Sequence, residues 1–229
     1  MRSLLVLLAC LAMAACTTTE VRKAAPTAIA APVADSKVIV VNPDVKLAVL
    51  TAAGLQEPRE DWSQSARANL NTAINDALKG RAHRFEALDP QASMDGRAGQ
   101  LLRLHEAVGQ SILVYSYGGL RLPTKAKGFD WTLGEGAQVL GQQHQAAYAL
   151  FVTGRGTYAS AGRAAVVIGA AMLGVGVPMG SQQVFASLVD LHTGQVVWFN
   201  VATAGPNADI RSAEGAAALT RDLLKGAPL

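Results

Sequence analysis

Reactive side chains at workable spacing are few in this chain. Its four histidines, His83, His105, His144 and His192, are scattered and lack the close pairing of metal ligands, so no metal site is expected. His105 falls on the apolar face of a predicted helix, where a histidine with a core partner is the expected reading. Ser116, in Tyr115-Ser116-Tyr117-Gly118, lacks the first glycine of a nucleophile elbow. Asp190 and Asp209 have no visible partner and suit a turn or a helix cap. Trp198 and Phe199, at the end of a predicted strand, suit a core. The most suggestive motif is Gly154-x-Gly156-x-x-Ala159, after a predicted strand and before a helix-like run. In dinucleotide sites such glycines let a pyrophosphate approach a helix N-terminus. That reading also needs an acid about 20 residues on to hold the ribose, and none occurs from Gly136 to Val189. No P-loop is present. No catalytic residue and no cofactor are therefore assigned.

The amino terminus carries a different chemistry. One basic residue, Arg2, precedes an apolar run from Leu4 to Ala15, and small residues lead into Cys16. That pattern predicts a secretory signal over residues 1–15, too short for a permanent span. Met13-Ala14-Ala15-Cys16 resembles the lipobox of bacterial lipoproteins, with Met13 where leucine is usual. The resemblance implies that Cys16 becomes the first mature residue and carries lipid, palmitate included. Cys10 is a competing site that would leave a very short apolar core. The chain has 2 cysteines. Processing at Cys16 leaves one, acylated, and therefore no disulfide. Several acyl chains would make release from a membrane negligible. Thr17, rather than Asp, points by the family's sorting rule to the outer membrane, with the domain facing the periplasm.

Residues 16–36 are Pro-interrupted and without period, and read as a lipidated cysteine followed by a flexible tether. Residues 37–229 read as one domain. The formal charge of +3, with 16% charged residues, gives no nucleic-acid footprint, and a 50% hydrophobic share is ample for a core. Val38–Gly54 is a buried β run with a break at Asn42-Pro43. Trp62, Ala66, Leu70, Ile74 and Leu78 predict a helix over 60–79. HRFEAL predicts a short strand. Leu101, Leu102, His105, Val108 and Ile112 predict a second helix, ending near Tyr117-Gly118-Gly119. A third is expected over 132–144, then a strand at AAYALFVTGRGTY. Two strands flank a turn at His192-Thr193-Gly194, and Ile210, Ala213, Ala217, Thr220 and Leu224 predict a terminal helix. The fold class expected is α/β: a mixed β-sheet with helices packed against it, a closing β-hairpin and a C-terminal helix.

Ala161–Gly180, AGRAAVVIGAAMLGVGVPMG, carries one charge, Arg163. Its uncharged run before Pro178 is too short for the roughly 20 residues of a membrane span. The favoured expectation is a helix buried close against the sheet. The sharper one is an insertion that meets another subunit or the membrane. Ala165/Gly169 and Ala170/Gly174 are small-xxx-small pairs that permit close approach, and are the candidate packing or oligomer contacts.

Phe185–Asn200, FASLVDLHTGQVVWFN, resembles the closing hairpin of the curli-secretion lipoprotein family. The TolB amino-terminal domain and the lipoproteins that activate penicillin-binding proteins share that architecture. The resemblance implies a TolB amino-terminal-like fold and a lipid-anchored envelope protein. It would act without catalysis through protein–protein contacts in envelope assembly or maintenance. Its partners would be the membrane, through the lipid, and other envelope proteins. Two alternatives stay open. One is an accessory or homo-oligomeric subunit of a secretion or transport assembly. The other is a ligand-binding or hydrolytic periplasmic enzyme.

Overall fold

The computed structural model describes residues 18–23, 35–90, 95–125, 128–204 and 208–229. Eight strands form one mixed sheet: β1 (Thr18–Lys23), β2 (Lys37–Val41), β3 (Asp44–Leu50), β4 (Gln56–Pro58), β5 (Arg84–Leu88), β6 (Tyr148–Ala159), β7 (Gln182–Asp190) and β8 (Val196–Thr203). Among the described residues five α-helices accompany it: α1 (Glu60–Leu78), α2 (Gly96–Ile112), α3 (Gln138–His144), α4 (Ala161–Met172) and α5 (Ala213–Leu223). The expected mixed sheet, closing hairpin and terminal helix are all present.

The long strand β6 organises the sheet. β7 and β8 follow it antiparallel, and β1 pairs antiparallel with β8. On its other side β6 pairs in parallel first with β2 and then with β3. Val40 faces Leu150 and Asp44 faces Thr153, so three residues on one strand oppose two on the other. The break at Asn42-Pro43 is thus a bulge within one run, at a proline that has no N–H to offer a ladder. β5 continues the sheet beyond β2, and β4 beyond the far end of β3.

Strand residues alternate between two cores. Val38, Val40, Leu150, Val152 and Val184 face α1 and α5, where Leu70, Ile74, Leu219 and Leu223 are buried. Ile39, Val41, Phe151, Phe185 and Phe199 face α2 and α3, with Leu101, Ile112 and Leu140. Gly109 lets α2 lie on the sheet: a Cβ there would stand 2.6 Å from Phe185 Cε2.

Four expectations change. Thr18–Lys23, expected as tether, forms the edge strand β1, paired antiparallel with β8. The third helix does not begin at Thr132, which bridges to Gln195; the first helical turn is Glu135–Ala137 and α3 follows. In α5 Ala213 and Ala217 are exposed and Ala216, Leu219 and Leu223 are buried in their place, while Ile210, Thr220 and Leu224 are buried as expected. The largest change concerns α4. It buries no residue, so the expectation of a helix packed on the sheet does not hold. No helix among the described residues is long and apolar enough to cross a membrane.

Candidate functional site

Two surface features could carry function. The first is a cleft of about 750 Å³ where β2 and β5 end and β3 takes over the place beside β6, between α1 and α2. Open α/β sheets often bind ligands outside strand C-termini. The β3 edge exposed there needs partners for its backbone. Residues on or just before α1 supply them: Ser63 Oγ accepts from Leu47 N at 2.9 Å, Arg67 Nη1 donates to Val45 O at 3.0 Å, and Arg59 N donates to Leu47 O at 2.8 Å. Arg67 also bonds Glu60. Arg155, projecting from β6, bonds Asp44 Oδ2 at 2.6 Å and Glu106 of α2. These charges join β3, β6, α1 and α2 to one another, a structural use of the cleft.

Arg155 was missed in the sequence, and its flanking glycines were the only signal. They do not cradle a phosphate. A Cβ on Gly154 would lie 3.3 Å from Val45, and one on Gly156 3.0 Å from Leu47, so the pair lets neighbouring strands pack closely.

Acid–base pairs are either sealed or structural. His105 Nε2 and Ser187 Oγ share a hydrogen bond of 2.6 Å, yet the two residues are 4% and 1% exposed. The His105 ring stacks on Phe151, centroids 3.9 Å apart. Burial lowers its pKa from 6.5 to about 3, so it is neutral. This is the core histidine expected from its helix face. Ser36 Oγ and His83 Nδ1 are 3.3 Å apart at the β2–β5 edge. There His144 Nδ1 also bonds Glu86 Oε1 at 2.8 Å. The Lys37 ammonium, then His144, hold the Glu86 carboxyl below its ordinary value. These contacts tie α3 to β2 and β5.

Asp190 serves the closing turn as expected, its Oδ1 accepting from His192 N at 2.7 Å. Asp209 has partners the sequence did not reveal. Tyr158 donates to it at 2.9 Å and Arg211 Nη2 at 2.7 Å. Burial pushes the Asp209 carboxyl up, but the Arg211 bonds outweigh it and the net shift is downward. Arg211 lies over Tyr158 and Trp62, 3.7 and 4.6 Å from the ring centroids, and so joins α1, β6 and the approach to α5.

The second feature is α4 and the turn after it. Ser160 caps the helix, accepting from Arg163 N at 3.1 Å. It ends in a Schellman motif: Val175 N bonds Ala170 O and Gly174 N bonds Ala171 O, both near 3 Å, with Gly174 at φ +74°. Gly174 is therefore a helix stop, and only Ala165/Gly169 remains a helical small-residue pair. Both are exposed, Ala170 is half-buried, and a Cβ on Gly169 would meet nothing within 4 Å. Around them Ile168 is 59%, Met172 81% and Leu173 82% exposed. Cys16 lies outside the described residues.

No family model matches the chain, and no curated protein matches it in sequence. Among solved structures it is similar to a PelC dodecamer from Paraburkholderia phytofirmans, at 16% identity over 91% of this chain and 95% of that one, with a TM-score of 0.37. A point variant of that dodecamer gives 18% identity, coverage of 90% and 96%, and a TM-score of 0.35. The LpoB C-terminal domain from Salmonella enterica gives 12%, 75% and 84%, and 0.29.

Proposed function

We propose that this is a lipid-anchored envelope protein, attached through Cys16 at the outer membrane, which works by contact with other envelope proteins and not by turnover. The observation that supports contact is the contrast between two sites. The shortest Ser–His pair lies inside the core, while a whole apolar helix lies outside it. Apart from Arg163 in its first turn this helix is apolar; a helix so apolar is normally covered, and the cover here would be something other than its own domain. A homo-oligomer is the second reading, favoured by the exposed Ala165/Gly169 pair. The test is affinity capture of the full chain from detergent-solubilised envelopes, with mass spectrometry. The expected result is one envelope protein recovered in fixed ratio to the chain and depleted by Cys16→Ser. Recovery of the chain alone, with hydrolytic activity towards an envelope polymer, would overturn the reading.

A further inference from the structure

We infer that α4 and the turn after it are a second membrane contact, dipping into the leaflet that carries the Cys16 lipid. The inference rests on the lipid-anchor reading above and on the register of the sheet. β8 runs towards the end of the sheet at Thr203, where Thr203 faces Gln183, and Gln183 faces Arg155 on β6. β1 starts at that same end, with Thr18 opposite Thr203. Four residues past Arg155, β6 ends at Ala159 and α4 begins at Ala161. The chain therefore comes in from Cys16 and goes out into α4 at one end of the sheet. Three strand spacings and four residues of rise separate Thr18 from the root of α4 by about 20 Å. Cys16 is at most about 7 Å of chain from Thr18. A lipid at Cys16 brings this end of the domain to the bilayer.

The chemistry of the segment fits that place. Residues 164–180 include no charged side chain. The one cation of the segment, Arg163, sits at the root and donates from Nε to Pro178 O at 3.0 Å, tying the outgoing chain to the returning one. Ser160 N bonds Leu50 O at 2.9 Å and Thr157 N bonds Ser181 O at 2.8 Å, so the base is part of the sheet. Ile168, Met172, Leu173, Val175 and Met179 are exposed beyond it. Twelve helical residues rise about 18 Å, enough to enter one leaflet and too little to cross two. The capped turn at Gly174 satisfies backbone groups that hydrocarbon would leave unpaired.

The test uses the full chain in vesicles of phosphatidylethanolamine and phosphatidylglycerol, with a fluorophore on Met172→Cys or on His192→Cys, which marks the hairpin turn at the opposite end of the sheet. Both positions are exposed, so neither label disturbs the core. The Met172 label should be quenched by brominated lipid and be several-fold less accessible to aqueous iodide than the His192 label. Equal iodide access in a chain shown to be acylated overturns the membrane contact and leaves the anchor standing. Shielding from both quenchers, with an oligomer in detergent, also overturns it and assigns α4 to a second copy. If mass analysis finds no acyl chain the anchor reading fails separately. Flotation of that unacylated chain, abolished by Met172→Glu with Leu173→Glu, would still support the contact, and failure to float would overturn it.

Discussion

His105 is neutral because the sheet, α2 and Phe151 surround it, and its one polar contact is a hydroxyl. That has a consequence for stability. The unfolded histidine takes a proton near 6.5, and the folded one refuses it until about 3. Stability from this residue is complete above pH 6.5 and is lost as pH falls from 6.5 towards 3, by up to about 1.4 kcal/mol per unit. Carboxylates add their own acid dependence, so a comparison isolates the histidine. Urea unfolding of wild type and His105→Gln at pH 7, 5 and 4 should show a shallower loss in the variant. Equal losses would mean that His105 is protonated in the folded chain. The Arg155 and Arg211 contacts act differently. They join elements through partly exposed ion pairs, where individual energies are small and screened.

Glycines separate a docked helix from a free one. Gly109→Ala would drive a methyl into the ring of Phe185, which is buried, at a cost of about 1–3 kcal/mol. Gly169→Ala meets open space and exchanges glycine for a better helix former, a gain of about 0.5–1 kcal/mol. Thermal melts of the two variants should therefore move in opposite directions. Destabilisation by Gly169→Ala would show that α4 packs within its own chain. Where apolar side chains were large and periodic, the sequence was legible: Leu70, Ile74 and Leu78 placed α1, and the Val-Asp-Leu and Thr-Gly residues placed the closing hairpin. Small residues hid the rest. Alanines do not mark a face, so Ala213 and Ala217 of α5 are exposed where the spacing predicts burial, although Thr220 and Leu224 are buried as expected, and the glycines and alanines of α4 fit either side of an interface. β1 pairs with β8, and its sequence, TTEVRK, has no apolar run to announce a strand. The Arg155 network was invisible because its partners, Asp44 and Glu106, are 111 and 49 residues away.

At the scale of the molecule, the two halves of the sheet have different roles. Parallel strands β2, β3 and β5 with α1 and α2 hold the ion-paired cleft, while the antiparallel strands β1, β8 and β7 bring both the incoming chain and the base of α4 to one end. With the proposed lipid at Cys16, a docked β1 would hold that end close to the anchor instead of at the end of a long tether. A domain held in that way would face its membrane in one orientation. The account rests on the lipid, and the most direct measurement is intact mass and amino-terminal peptide analysis of the chain purified from envelopes. The account predicts a mature chain that begins at Cys16 and carries acyl groups on that residue. A chain that begins elsewhere, or an amino-terminal peptide with an unmodified Cys16, would contradict it.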